Sequence, residues 1–254
     1  MKIAIFSDIH ANLPALEALF ADIDIRKPDF VYCLGDLVGY NVWPNQVINA
    51  IQKRRIPTIA GNYDQGVGIA GNDCGCAYKT DHDRSNGEQS IAYTNSVVLP
   101  EERKYLRNLP SHIRLEYQLN EERFDVLMVH GSPRKINEYL FIDREEKSLL
   151  RIMEQANARI MLFGHTHKPY HRVLEDTDSN WRHAINVGSV GKPKDGDPRG
   201  CYLIMELDET YSIRKPDSLK IEFVRFEYDV EKAARAVEDS PLPNDFADML
   251  RKAY

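Results

Sequence analysis

Apolar runs and helix-like spacings alternate along the first third of the chain. Residues 2–7, 30–34 and 58–60 are short apolar runs of the kind found in buried strands. Between them, residues 13–23 carry apolar side chains at helical spacing, and residues 46–53 predict a second helix. This β-α-β-α-β order predicts a parallel-type sheet with helices packed on it, because parallel neighbours require crossover connections.

The rest of the chain predicts a helical middle followed by a strand-rich second half. Helices are expected at residues 87–96, 101–108, 148–156 and 230–237. Strands are expected at residues 124–129, 160–163, 172–174, 182–186, 202–206 and 221–226. No linker, internal repeat or charge block marks a boundary. The sequence therefore predicts a single α/β (α+β) domain over residues 1–254, with two sheets packed face to face and helices outside.

The composition is that of an ordinary globular chain with a slight acidic excess. Hydrophobic residues make up 43% of the 254 residues, enough for a sizeable core. No run approaches the roughly 18 apolar residues that a membrane span needs. The chain carries 33 Lys and Arg against 39 Asp and Glu, a net charge of −6. This balance argues against a protein that binds duplex nucleic acid through a basic face.

Cysteine usage favours a reducing compartment. Four cysteines are too few for a disulfide scaffold in a chain of this length. The apolar residues 3–6 are followed at once by Ser7 and Asp8, which is too early for the hydrophobic region of a secretory signal. We therefore expect a cytoplasmic protein with reduced thiols and no membrane partner.

Five short polar motifs stand directly after predicted strands. Each supplies oxygen or nitrogen atoms as potential ligands, and none supplies a cysteine. Loops at the carboxyl ends of strands form the ligand sites of open α/β sheets, so residues far apart in sequence are expected to converge there. The motifs are Asp8-Ile9-His10, Gly35-Asp36, Gly61-Asn62, His130-Gly131 and Gly164-His165-Thr166-His167.

The ligand types favour a pair of divalent metal ions. Carboxylate, amide and imidazole groups suit ions such as Mn, Fe, Co, Ni or Zn, rather than a structural thiolate zinc site. Seven candidate ligands exceed the needs of one tetrahedral ion and suit two ions that share a carboxylate. Asp36 is the expected bridging residue, because the preceding Gly35 allows a close backbone approach. The candidate ligands are Asp8, His10, Asp36, Asn62, His130, His165 and His167.

The ordered motifs resemble those of the calcineurin-like metallophosphoesterase superfamily. Gly39 and Asp64 extend two of the motifs in the family's pattern. Residues 186–199 resemble the bacterial and archaeal phosphodiesterase branch, which is related to diadenosine tetraphosphatases. The resemblance covers roughly the first 205 residues. It implies a four-layer α/β/β/α sandwich of two mixed sheets.

The resemblance also implies roles for the candidate ligands. It assigns one metal to Asp8, His10, Asp36 and His167. It assigns the other to Asp36, Asn62, His130 and His165. The implied activity is hydrolysis of a phosphate ester by in-line attack of a metal-bridging hydroxide, with Asp36, Asn62 and His130 as the catalytic residues. The implied partner is a small phosphoester substrate, and nucleotides are among the candidates.

One position departs from the family pattern. Many members carry a histidine between the Asn and the Asp of the third motif, where it protonates the leaving group, and here that residue is Tyr63. Tyrosine, with an ordinary pKa near 10, is poorly matched to proton donation at about pH 7. Two hypotheses follow. The enzyme prefers leaving groups that need little protonation, or another group, such as His171 or a metal-bound water, supplies the proton.

Three further side chains are candidates for contact with the substrate phosphate, namely Asn12, Ser189 and Arg199. The planar guanidinium of arginine matches a phosphate oxyanion, although a structural ion pair explains Arg199 equally well. Asn12 is also expected to cap the first helix. Asp64 is expected to orient a neighbouring group rather than to bind metal.

Two other patterns carry weaker indications. Residues 66–71 match a dinucleotide-binding fingerprint by letter, but they do not directly follow a strand and no helix is expected to begin there. A mobile glycine-rich loop is predicted instead. Cys74, Cys76 and His82 suggest an additional metal site, but no second cysteine pair closes it, and a surface loop with reduced thiols is the alternative.

The sequence therefore predicts a dinuclear metal-dependent phosphoesterase, and more specifically a phosphodiesterase. Two alternatives stay open: a hydrolase of dinucleoside polyphosphates, and a binding module that keeps the metal site without catalysis. The acidic charge balance argues against a nuclease acting on long duplexes. No pattern in the chain specifies an oligomeric state.

Overall fold

Nine strands pair into two mixed sheets in the computed structural model, which describes residues 1–254. The strands are β1 (Lys2–Phe6), β2 (Phe30–Cys33), β3 (His112–Leu119), β4 (Glu122–Val129), β5 (Ile160–Phe163), β6 (Tyr170–Glu175), β7 (Trp181–Asn186), β8 (Gly200–Glu206) and β9 (Lys220–Phe226). The first sheet has the order β2-β1-β8-β9, and the second has the order β3-β4-β5-β7-β6. In the first sheet β1 is parallel to β2, and in the second β5 is parallel to both of its neighbours.

Eight helices connect and cover the sheets. They are α1 (Leu13–Arg26), α2 (Pro44–Lys53), α3 (Asn62–Gly68), α4 (Asp81–Val97), α5 (Pro100–Arg107), α6 (Glu146–Gln155), α7 (Val230–Glu238) and α8 (Asp245–Lys252). Asn12 caps α1 as predicted, since its Oδ1 accepts from the Ala15 amide at 3.2 Å. None of the eight combines the length and the apolar content that a bilayer crossing demands.

The two sheets face each other across a dry interior and carry helices on their outer faces. Along β1, Ile3 and Ile5 pack between the sheets, whereas Ala4 and Phe6 pack on the opposite side against α1. The outer face of the second sheet is covered by α6 through an apolar cluster that includes Leu149. Each fully buried large aliphatic side chain contributes roughly 1.5–3 kcal/mol. The predicted four-layer α/β/β/α arrangement of two mixed sheets is thereby confirmed.

Four elements differ from the sequence prediction. Residues 58–60 form only one bridge, between Cys33 and Thr58, and not a full strand. Residues 66–71 are not a free glycine-rich loop, because α3 runs through Gly68. The Asp64 carboxylate accepts from the Gly61 amide and so closes the first turn of that helix. β3 and α8 are additional elements.

The C-terminal helices close one end of the molecule next to the predicted ligand loops. α7 and α8 bury an apolar cluster of their own, with Phe246 and Leu250 almost fully buried. This cluster also contacts Tyr40 and Trp43 in the loop after β2. The edge of the Phe246 ring meets the face of Tyr40, with the ring centroids 5.0 Å apart. The C-terminal segment thus packs against a loop that carries predicted ligands.

A histidine pair is buried on the sheet face opposite Tyr170. His171 on β6 and His183 on β7 are joined by a hydrogen bond of 2.9 Å between ring nitrogens, and His183 is fully buried. Burial lowers the pKa of His183 from 6.5 to about 3 and that of His171 to about 4. The folded protein therefore keeps both rings neutral at pH values where the unfolded chain takes up protons.

We expect this pair to make stability depend on pH. Between pH 6.5 and about 4, the unfolded chain binds a proton at His183 that the folded protein does not, so the free energy of unfolding falls as pH falls. His183→Gln is expected to reduce that slope by about 1.4 kcal/mol per pH unit. Urea unfolding across this range measures it, with His112→Gln, at an exposed position, as control. An unchanged slope in His183→Gln would contradict the assignment.

Candidate metal centre

The loops after β1 and β5 bring the first group of predicted ligands together. The Nε2 atoms of His10 and His167 lie 3.1 Å apart, and the Asp8 Oδ1 atom lies 3.2 Å from His167 Nε2. The Asp8 and His10 side chains are 0% exposed and His167 is 3% exposed. Three ligand atoms from residues 157 positions apart in the chain thus share one small volume.

The second group is built from three other segments and from the loop after β5, which it shares with the first group. His130 follows β4, and its Nε2 lies 3.3 Å from Asp36 Oδ2 and 3.1 Å from Asn62 Oδ1. His165 completes the group, with its ring 5.1 Å from the His130 ring. Asn62, at the start of α3, is oriented by its own amide, which donates to the Cys74 carbonyl at 3.0 Å. Its carbonyl oxygen therefore faces the ligands.

Asp36 lies between the two groups. Its Oδ2 atom is 3.3 Å from His130 Nε2 in the second group and 3.6 Å from His10 Nε2 in the first. Its Oδ1 atom accepts from the Tyr63 amide at 2.9 Å, which fixes the orientation of the carboxylate. The structure brings all seven predicted ligands together, and Asp36 stands where a bridging ligand is predicted.

Three of the imidazoles are held so that Nε2 faces inward. Their Nδ1 atoms bind the backbone carbonyls of Val38, Leu34 and Lys192, in His10, His130 and His167 respectively. A carbonyl oxygen only accepts, so Nδ1 carries the proton in each neutral ring, which leaves the Nε2 lone pair for a metal ion. This is the arrangement that orients imidazoles in metal sites.

Two ligand atoms of the site lack a hydrogen-bond partner although they are buried. They are Asp8 Oδ1 and His165 Nε2. An unsatisfied buried polar atom costs roughly 1–3 kcal/mol, and more if it is charged. A divalent cation in each group would satisfy them, since Asp8 belongs to one group and His165 to the other, and the oxygen and nitrogen ligands are of the type that such ions accept. The residues present therefore fit divalent metal ions.

The pKa shifts show a site that attracts positive charge. Burial raises the pKa of Asp8. Burial acts in the same direction on Asp36, but the neighbouring imidazoles, His130 foremost, hold its pKa below the usual range. Burial opposes protonation of His130, yet Asp36 raises its pKa to about 9. Burial lowers the pKa of His10 and His165 to about 3, which leaves both rings neutral and able to coordinate.

The backbone is strained at most of the ligand positions. Five of the seven predicted ligands have φ between 50° and 65°, in the left-handed region that non-glycine residues rarely adopt. Glycines leave the room that this arrangement needs, since a Cβ on Gly61 would lie 2.1 Å from Asp36 Oδ1. A Cβ on Gly164 would lie 2.4 Å from Asp8 Oδ2. The strained ligands are Asp8, His10, Asp36, His165 and His167.

Asp64 joins the loops that carry two of the ligands. Its carboxylate accepts from the amides of Gly61 and Leu37, both at 2.9 Å, and it is fully buried. Burial, reinforced by the nearby Asp36, raises its pKa to about 7. Asp64 thus ties the loop of Asn62 to that of Asp36, in keeping with the predicted orienting role.

The three predicted substrate contacts occupy different environments. The Asn12 amide donates to the Gly191 carbonyl at 2.9 Å, and the Ser189 hydroxyl donates to the Asp8 carbonyl at 2.8 Å. Both side chains are fully buried and support the ligand loops. Arg199 is exposed and forms a bidentate ion pair with Asp197. Substrate contact by these three residues stays a prediction.

Neither Tyr63 nor His171 is placed to supply a proton to a leaving group. Tyr63 is 1% exposed, packs against Gly39, and has a hydroxyl without a hydrogen-bond partner. Burial raises its pKa well above the ordinary value for tyrosine. His171 is engaged with His183, so the hypothesis that it serves as the acid was wrong.

The Cys74–Cys76 segment is a loop without regular secondary structure. It lies over Asn62, with Cys74 almost fully buried and the two Sγ atoms 3.0 Å apart as free thiols. His82 does not join it, because its ring pairs with Asp245 instead. The structure therefore forms no additional metal site from these three residues, and it confirms the alternative of a surface loop with free thiols.

Sequence reasoning missed several residues around the ligands. The ring centroids of Tyr139 and His165 lie 4.1 Å apart, and those of Tyr40 and His10 lie 4.9 Å apart. Lys192 fixes His167 through its carbonyl. The only available signal was the Gly-Lys-Pro-Lys sequence at residues 191–194, which directly follows the glycine-rich segment.

Comparisons with known proteins place the chain among phosphoesterases. The sequence model described as "Calcineurin-like phosphoesterase superfamily domain" matches residues 1–210. "Uncharacterized protein MJ0912" of Methanocaldococcus jannaschii is 32% identical over 261 residues, covering 98% of this chain and 96% of that protein.

Two solved structures share the whole architecture. A metallophosphoesterase from Sphaerobacter thermophilus matches with a TM-score of 0.73 and 27% identity, covering 100% of this chain and 99% of that one. The hypothetical protein PH1004 from Pyrococcus horikoshii matches with a TM-score of 0.79 and 22% identity, covering 100% and 98% of the two chains. The second likeness shows the fold alone.

We expect Mn²⁺ to stabilise the protein through Asp36. Free metal at about 100 times Kd raises the free energy of unfolding by about 2.7 kcal/mol, because the unfolded chain has no assembled site. Asp36→Asn keeps an acceptor for the Tyr63 amide but loses charge, so most of this rise should disappear. Thermal unfolding with and without Mn²⁺ measures the effect, and Asp197→Asn, at a carboxylate paired with Arg199, is the control. Equal stabilisation of Asp36→Asn would refute the role.

Proposed function

The chain belongs to the calcineurin-like phosphoesterase superfamily, and from this premise we propose that it is a dinuclear metal-dependent phosphodiesterase. The position of Asp36 carries the proposal. One of its carboxylate oxygens lies within 3.6 Å of His10 Nε2 and 3.3 Å of His130 Nε2, which belong to different ligand groups. A carboxylate shared by two groups is what a two-ion site requires.

The two ions would be held by the groups already described. Asp8, His10 and His167 would bind one ion, and Asn62, His130 and His165 the other, with Asp36 shared between them. The ligand types allow Mn, Fe, Ni, Co or Zn. When bound, a pair of such ions supplies Lewis acidity and activates water for attack on phosphorus.

The residues of the chain contribute positioning and charge. Burial excludes water from the ligands and strengthens every charge interaction among them. His130 is fixed by the Leu34 carbonyl and Asn62 by the Cys74 carbonyl, so neither side chain must reorganise when a phosphoester enters. Asp36, Asn62 and His130 are therefore the residues that we propose for catalysis.

We also propose a domain organisation, a cellular compartment and a substrate class for the protein. We propose one domain over residues 1–254, because α7 and α8 pack on the loop that carries Asp36. All four cysteines are free thiols, and two of them lie 3.0 Å apart without a disulfide bond, which suits the reducing cytoplasm. The substrate would be a small phosphoester rather than duplex nucleic acid, given the net charge of −6.

Hydrolysis of bis(p-nitrophenyl) phosphate with Mn²⁺ tests the activity. We expect turnover that chelation abolishes and that Asp36→Asn lowers about a hundredfold or more, since a shared ligand affects both ions. Metal analysis should find two ions per parent chain and fewer in His165→Ala and His167→Ala. Tight metal binding without cleavage of any ester would instead favour the scaffold alternative.

Leaving-group chemistry should follow from the packing of Tyr63. With no side chain placed as general acid, we expect kcat/KM for aryl phosphodiesters to fall steeply as the pKa of the leaving group rises. Tyr63→Phe should retain the parent rate and the parent slope, because the hydroxyl has no partner to lose. A flat dependence in the parent, or a large loss in Tyr63→Phe, would show that a proton donor is present.

A further inference from the structure

A second cavity adjoins the ligand loops, and we call it the lysine cavity. It has a volume of about 290 Å³ and lies between the loop after β2, residues 76–79, α8 and the Lys192–Lys194 segment. Two residues that line it also contact predicted metal ligands. Tyr40 contacts the His10 ring, and Tyr139 contacts the His165 ring. The lysine cavity is therefore adjacent to both ligand groups, with Tyr40 and Tyr139 between.

The most unusual lining group is the Lys192 side chain. Lys192 is 3% exposed. Its Nζ lies 3.3 Å from Met249 Sδ and 4.5 Å from the centroid of the Tyr40 ring, and no carboxylate forms an ion pair with it. A thioether and an aromatic face are weak partners for a buried ammonium group. Burying a charge costs several kcal/mol unless an opposite charge compensates it.

The remaining charges of the lysine cavity reinforce the excess of cations. Lys194 is half-buried, and no carboxylate pairs with it either. Its amide donates to the His167 carbonyl at 3.4 Å, so this segment borders the first ligand group. Three lysines and a single aspartate, Asp83, line the cavity. The lysine cavity thus places lysine amino groups without carboxylate partners beside the metal ligands, in a chain that is acidic overall.

The aromatic lining adds a second kind of recognition. Tyr78 and Tyr139 are half-buried wall residues, and Tyr254 at the rim is 54% exposed. Flat faces of this kind bind planar rings by stacking, a contact worth roughly 1–3 kcal/mol per base. Cationic and aromatic surfaces side by side match the two chemical parts of a nucleotide.

We propose that the lysine cavity binds a second phosphate group of a nucleotide substrate. Lys192 and Lys194 are the cationic partners of this phosphate, and Tyr78, Tyr139 and Tyr254 lie against the ring of the nucleotide base. This inference rests on the proposed phosphodiesterase activity, because the scissile phosphate must lie at the ligands. A substrate with one phosphate leaves Lys192 uncompensated, whereas a second phosphate pairs with it. Lys192 and Lys194 are thus specificity-determining residues.

Two substrates that differ only in one phosphate test the proposal. One is the p-nitrophenyl ester of a nucleoside monophosphate, and the other carries an added phosphate on the remaining sugar hydroxyl. We expect kcat/KM to be about tenfold or more higher for the second, the size of a lost charge-assisted hydrogen bond. Lys192→Met and Lys194→Met should each remove most of this preference. Lys232→Met, at an exposed lysine on α7, should keep it.

Two measurements independent of turnover complete the test. Lys192→Met should raise the melting temperature, since a buried amino group without an ion-pair partner is replaced by an apolar side chain of similar length. Equilibrium binding of a nucleoside bisphosphate to the Mn²⁺-loaded protein should weaken about tenfold in that variant, and binding of the monophosphate should weaken much less.

The outcomes separate this inference from the function on which it rests. If the parent protein cleaves neither ester, nor bis(p-nitrophenyl) phosphate, the phosphodiesterase proposal fails. If the parent cleaves both nucleotide esters at equal rates, or if Lys192→Met lowers both rates equally, the lysine cavity does not recognise a second phosphate. Either of these last two results overturns the inference and leaves the metal-dependent activity intact.

Discussion

Two carboxylates buried at the end of the sheets constrain the entire centre. Asp8 and Asp36 are 0% and 1% exposed, and both approach the His10 imidazole. Carboxylates withdrawn from water in this way cost several kcal/mol each unless cations compensate them. The protein supplies imidazoles and backbone amides but no arginine or lysine ion pair to either group. The two carboxylates therefore require bound cations. The loops, the glycines and the inward-facing imidazole rings serve to position these cations.

The sequence predicted the buried central strands more clearly than the half-exposed and short elements around them. The apolar runs of β1, β5 and β8 are buried on both faces, so they stand out without knowledge of the partner strands. β3 alternates polar and apolar residues along its length, the pattern of a half-exposed strand, but it has no continuous apolar run and was overlooked for that reason. α3 contains two glycines and depends on the Asp64 carboxylate at its first turn, an interaction that spacing alone does not reveal. Residues 58–60 lie beside β2 for only one bridge, which length alone could not predict.

The ligand groups were predictable because strand order places every motif at one edge. Each of the seven side chains follows a strand end or begins a helix there, and the structure gathers them as expected. The surroundings were not predictable, since they depend on contacts between distant segments. Asn62 is oriented by the Cys74 carbonyl, and the Lys192 ammonium meets Met249 of the last helix. Such pairs share no local pattern, and only the packing of the two sheets and the C-terminal helices brings them together.

The left-handed backbone at the ligands has a consequence for the history of the protein. Holding a non-glycine residue in that region costs roughly 1–2 kcal/mol, and five ligand residues are held there. A lineage that lost the need for bound ions would gain stability by replacing these residues with glycine or asparagine. Descendants without activity should therefore drift first at Asp8, His10 and Asp36, well before their cores change. The metal ligands thus bear a cost in folding stability that the apolar core does not.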